Sequence, residues 1–133
     1  ANATDYGTGL VETFTGTSGW RSANRISIES NNGEQFYRFV TKNADGTNQV
    51  QYTAYTITDS AYDTVGFRVD KAGKVEFFVN RALAATVTSN INTDDMQMFA
   101  ASVSASASGQ RVTKVDYISA TQNRNASELI GNI

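Results

Sequence analysis

Residues 61–91, AYDTVGFRVDKAGKVEFFVNRALAATVTSNI, decide the fold class, because three short apolar runs are separated there by two tight turns. In an extended chain successive side chains point to opposite faces, so a period of two assigns each residue to one side. Val65, Phe67 and Val69 then share a face, with Thr64, Arg68 and Asp70 opposite. Asp70-Lys71-Ala72-Gly73 supplies a turn with a glycine available for positive φ, after which Val75, Phe77 and Val79 line one face again. Asn80-Arg81 is a second turn, and the third run sets Leu83, Ala85 and Val87 against Ala84, Thr86 and Thr88. Two dry-in, hydroxyl-out hairpins of this kind predict one wall of an antiparallel β-sandwich.

The same grammar runs outward in both directions. Upstream, RISIES (25–30), EQFYRFVTK (34–42) and TNQVQYTAYTI (47–57) are separated by turns at Asn32-Gly33 and Asp45-Gly46, residue pairs that tolerate left-handed backbone. Downstream, Met96–Val103 and Gln110–Ser119 flank the small-residue stretch SASASG. The expectation is an all-β fold: an antiparallel two-sheet β-sandwich of about eight strands with Phe67, Val69, Val75, Phe77, Val79 and Val115 in its core. One domain spanning 1–133 suffices, since a chain of that length buries about 70% of its unfolded surface. The ends, about 1–10 and 121–133, read as polar terminal segments, the second carrying Leu129, Ile130 and Ile133.

Composition removes whole classes of chemistry. There is no histidine and no cysteine, so no Ser-His-Asp or Cys-His nucleophile, no imidazole or thiolate zinc site and no disulfide framework. A net charge of -2, from 11 basic and 13 acidic residues, gives no electrostatic reason to expect nucleic acid or an anionic membrane as partner. The apolar runs are far shorter than the roughly 20 residues of a membrane helix, and ANATDYGTGL lacks the pattern of a secretory signal. Proline is absent too, so sheet edges must be covered or charged rather than blunted by it.

What remains is carboxylate and aromatic chemistry. A glycosidase needs two acids facing each other across a cleft, yet Glu12, Glu29, Glu34 and Glu76 never recur at the two- or four-residue spacing that puts two on one strand face. Asp59 with Asp63, or Asp94 with Asp95, offers hard oxygen ligands but no loop of regularly alternating acids closed by a glutamate, and they read as turn acids; no cofactor or metal is expected. Asn2-Ala3-Thr4 and Asn125-Ala126-Ser127 fit a glycosylation triplet that a chain rich in Asn, Ser and Thr produces by chance. The aromatics divide between core and surface. Tyr37 shares a face with Phe39, and Tyr55 lies opposite Tyr52, while Trp20, Tyr55 and Tyr62 form the candidate set for stacking on sugar rings.

The block YDTVGFRVDKAGKVEFFVNRALAATVTSNI and its continuation MQMFAASVSASASGQRVTKVDYISA, roughly residues 60–120, resemble the C-terminal half of concanavalin A-like (laminin G-like) jelly-roll domains of the kind found in bacteriophage virion proteins. The resemblance implies a jelly roll and a non-enzymatic virion component, either a capsid decoration or cement protein or a fibre module. Such a component is assembled in the host cytoplasm and bound to the major capsid protein or other virion subunits, with homo-oligomerisation left open. The acids that alternate on one strand in glucanases of this fold are missing, and a legume-lectin metal loop cannot be completed without histidine. On this reading the terminal apolar residues Tyr6, Leu10, Leu129, Ile130 and Ile133 are the expected partner interface. The alternative is a glycan-binding module that uses the exposed aromatics.

Overall fold

A computed structural model of the chain describes residues 4–14, 23–30, 34–43, 49–57, 61–70, 73–92, 94–104 and 118–121. Among these residues the backbone forms strands and no helix: β1 (Thr4–Val11), β2 (Arg25–Ser30), β3 (Phe36–Lys42), β4 (Gln49–Thr56), β5 (Val65–Val69), β6 (Val75–Val79), β7 (Ala82–Val87) and β8 (Gln97–Ser104). They make two antiparallel sheets, one in the order β4-β3-β2-β1-β8 and the other β5-β6-β7.

The sheets meet as a β-sandwich because each contributes one apolar face. Ile26, Ile28, Tyr37 and Phe39 from the larger sheet pack with Val75, Phe77, Val79 and Val87 from the smaller. Phe77 sits at the centre, its ring centroid 5.2 Å from that of Phe39 and 5.9 Å from that of Phe67. The first hairpin is held by its own turn. The Asp70 carboxylate accepts from the Lys74 amide at 3.0 Å, Gly73 donates to the Asp70 carbonyl at 3.1 Å, and Gly73 takes φ +79°. In the second turn Asn80 and Arg81 both adopt positive φ, 50° and 70°, the twist a two-residue hairpin needs.

Four placements differ from the sequence reading. The stretch read as a polar end at 1–10 contains β1, which lies between β2 and β8, so Tyr6 and Leu10 belong to a sheet rather than to a tail. Val69, expected in the core, is 44% exposed, since it ends β5, a strand with one neighbour among the described residues. In β7 the pairing jumps from Phe77↔Ala85 to Phe78↔Leu83, a bulge that leaves Ala84 as the extra residue. Leu83 therefore leaves the face of Val87 and stands 58% exposed, while Ala84 and Ala85 both pack on the core. A similar jump in the β3–β4 pairing sets Tyr55 against Tyr37 and Tyr52 against Phe39. Val115 lies outside the described residues.

Strand β2 departs from half-wet alternation altogether. Ile26 and Ile28 enter the core, but Arg25, Ser27 and Glu29 on the opposite face are buried as well. That far face carries a second apolar cluster, Val11 and Phe99 with Ala23 and Ala101 packed against them.

Candidate functional site

One end of the sandwich is tied by a polar chain that crosses from sheet to sheet. The Tyr37 hydroxyl, on β3, donates to Asp63 Oδ2 at 2.9 Å just ahead of β5. Asn80, in the β6–β7 turn, donates through Nδ2 to the other carboxylate oxygen at 2.8 Å. Its Oδ1 accepts from the Thr64 amide at 2.9 Å, and its own amide donates to the Thr64 carbonyl at 2.7 Å. Tyr6 of β1 completes the group, with its ring edge-on to Tyr37 at 6.4 Å between centroids.

Burial pushes the Tyr6 hydroxyl up to about 12, with the hydrogen bond to Tyr37 acting against it and the Asp63 charge adding to it. Tyr37 is raised further, by burial first and then by the neighbouring Tyr6 and Asp63. Both phenols thus hold their protons throughout the physiological range, and Tyr37 serves the Asp63 carboxylate as a hydrogen-bond donor. The sign of the linkage follows: a phenol whose folded value lies above the unfolded value near 10 contributes stability that is complete below pH 10 and is lost as pH rises through the folded value. Stability should fall between pH 10 and about 12 by about 1.4 kcal/mol per pH unit for each ionising tyrosine. Tyr37→Phe should remove part of that slope and cost about 1–2 kcal/mol at neutral pH. Urea unfolding at pH 8, 10 and 11.5 measures both, and equal slopes in the two proteins would show that Tyr37 is not part of the tie.

The outer face of the smaller sheet carries a different pattern. Arg68 bonds Glu76 across the β5–β6 pair and its guanidinium lies 5.9 Å from the Phe78 ring centroid. Lys74 reaches Glu76 at 2.9 Å and Asp70 at 3.5 Å. Lys74, then Arg68, hold the Glu76 carboxyl below its ordinary range. By register Leu83 lies beside Phe78 on this face.

The far face of the larger sheet holds buried charge. Arg25 Nε donates to Glu29 Oε1 at 2.5 Å, and the Ser27 hydroxyl donates to the same oxygen. Lys42 stands directly across from Arg25, and burial, then the Arg25 charge, keeps its ammonium below the ordinary value against the pull of Glu29. Arg38 pairs with Glu34 at the margin of the same face.

Of the residues singled out from sequence, some are placed by the structure and others lie outside the described residues. Of the partner-interface set, Tyr6 packs on the core cluster and Leu10 is half-buried in β1, paired with Ile26 and Met98; Leu129, Ile130 and Ile133 lie outside the described residues. Of the stacking set, Tyr62 is 71% exposed, Tyr55 is placed by its backbone in β4, and Trp20 lies outside the described residues. Among the acids, Glu12 accepts from Asn24 at 2.5 Å, while Asp94 and Asp95 are exposed. No group of three or more acids that could hold a metal occurs among the described residues. Asp63 and Asn80, read as turn residues, are the ones that sequence reasoning missed. A polar pair flanking two consecutive hairpin strands was the available signal, and nothing local pointed to Tyr37 as their third member.

Comparison with protein-family models, with curated proteins and with solved structures finds no match.

Proposed function

We propose that this chain is a non-enzymatic structural protein of a bacteriophage virion, a capsid decoration or cement subunit or a fibre module, built as a jelly roll and held to other virion subunits. The sequence resemblance over roughly residues 60–120 supports this reading. So does the return of β8 to pair with β1, which brings the last described strand beside the first. The observation that carries it is the outer face of β5-β6-β7. The very segment that bears the resemblance presents a sheet surface with Leu83 58% exposed next to Phe78, bordered by the Arg68, Glu76 and Lys74 charges. A face with an apolar centre and a polar rim suits contact with another folded surface. The acids near it are engaged in ion pairs that stiffen the face.

Burying one large apolar side chain contributes about 1.5–3 kcal/mol, so each contact is modest and a symmetric particle multiplies it. Leu83→Asp should leave the fold intact, because the side chain is exposed, and should lower occupancy on assembled particles by about tenfold or more. Deletion of residues 125–133 tests the second contact expected from Leu129, Ile130 and Ile133. If both variants fold and still decorate particles at full occupancy, the reading is wrong.

A further inference from the structure

We propose that the outer edge of β5 is a dimerisation strand, on which β5 of a second copy of this chain pairs antiparallel across a twofold axis and joins the two small sheets into one. The phase of the β5–β6 ladder fixes which backbone groups face outward. Asn80 donates its amide to the Thr64 carbonyl at one end of that ladder, and Asp70 donates its amide to the Lys74 carbonyl at the other. Hydrogen-bonded and non-hydrogen-bonded pairs alternate along antiparallel strands, so Gly66 and Arg68 bond β6 while Val65, Phe67 and Val69 direct N–H and C=O away from it. Among the described residues no strand lies on that side. The edge also lacks the usual guards. A bulge interrupts β7, at the opposite margin of the sheet, but β5 pairs without a register shift, and the chain has no proline. Arg68, the one charged residue of the strand, reaches across to Glu76 and Phe78 of β6 and does not cover the edge.

The sequence of the strand, VGFRV, chooses a second copy as the occupant. Outward groups must meet outward groups, which leaves symmetric registers centred on Gly66, Phe67 or Arg68. Centring on Arg68 sets two guanidinium groups directly opposite, a destabilising like-charge pair. Centring on Gly66 runs Val69 off the strand against Asp63, whose carboxylate already serves Tyr37 and Asn80. Centring on Phe67 uses every residue: Val65 meets Val69 of the second copy, Phe67 lies on the axis, and Arg68 falls opposite Gly66. That last pair is of the closely spaced, non-hydrogen-bonded kind, and a side chain added at Gly66 would meet nothing within 4 Å, so the glycine leaves room for the guanidinium. Val69, 44% exposed, gains a cover. A strand of five residues spans about 17 Å, a small contact that sets the expected Kd between about 1 µM and 1 mM. The pairing does not rest on the virion reading, since it is a property of the purified chain.

The test is sedimentation equilibrium of the full chain up to about 1 mM, with amide hydrogen exchange followed over the same range. The expected result is a reversible monomer–dimer equilibrium in which exchange at Val65, Phe67 and Val69 slows as concentration rises. Gly66→Glu places a carboxylate opposite Arg68 and should tighten the dimer by about threefold to tenfold, because the axis makes the pair twice. Gly66→Lys should weaken it by a similar factor. The open space at Gly66 keeps both variants folded. Val69→Pro removes an outward N–H that β6 does not use and should abolish the dimer. A chain that stays monomeric at about 1 mM overturns the proposal. So does a dimer that Gly66→Glu and Gly66→Lys affect alike, or one that slows exchange on another strand and leaves β5 unchanged.

Discussion

Replacing Gly9 with alanine is expected to destabilise the protein by roughly 2–6 kcal/mol, the sum of a backbone term and a steric term of about 1–3 kcal/mol each. Gly9 adopts φ +148°, a region essentially reserved for glycine. A methyl group built there would stand 2.2 Å from the Ile26 carbonyl oxygen and 2.9 Å from the Ser27 Cα, both backbone atoms of the neighbouring strand. Neither neighbour can yield cheaply. Ile26 is fully buried in the core and Ser27 fully buried on the opposite face, so moving β2 away disturbs two packed layers. Gly66→Ala is the control, because a methyl group there meets nothing within 4 Å. Urea midpoints of the two variants measure the contrast. A loss under about 1 kcal/mol at Gly9 would mean that β1 does not run against β2 in this register.

That glycine explains why the first strand was hidden from the sequence. TDYGTGL carries glycine at two alternate positions, 7 and 9, and the composition reads as loop because glycine weakens an isolated strand. In the fold, glycine at position 9 is what allows β1 to pass close to β2 at all. The hairpins at 70–74 and 79–82 were readable because their turn chemistry is local: an aspartate that caps its own turn, and an Asn-Arg pair at positive φ. The inward face of β6 followed from period two alone, and Val75, Phe77 and Val79 are buried as that period requires. The face of Leu83 did not follow, since one extra residue at the β7 bulge inverts the alternation with no sequence mark. Of the candidate site, the polar tie was not legible, because it joins residues 37, 63 and 80, three segments brought together only by the packing of one sheet on the other.

Removing the Glu29 carboxylate should have an effect of comparable size, about 3–5 kcal/mol for Glu29→Ala. RISIES alternates as a strand with one dry and one wet face should, yet the polar face is as buried as the apolar one, with Arg25 and Glu29 each 2% exposed. Glu29 is the negative centre there. Arg25 and Ser27 bond it directly, and Lys42 and Arg38 both feel its charge. Without it, Arg25 and Lys42 face each other across the β2–β3 pair as buried like charges, and Arg25 loses the acceptor for its Nε. The cost arises from what is left behind rather than from the strength of the pair itself, because desolvating both ions consumes most of their attraction. Replacing both partners at once, Arg25→Met with Glu29→Leu, should therefore recover most of the loss. A double-mutant cycle read by urea unfolding separates the two effects. Losses that simply add would show that Arg25 and Glu29 are not coupled, and that this face is less dry than its burial implies.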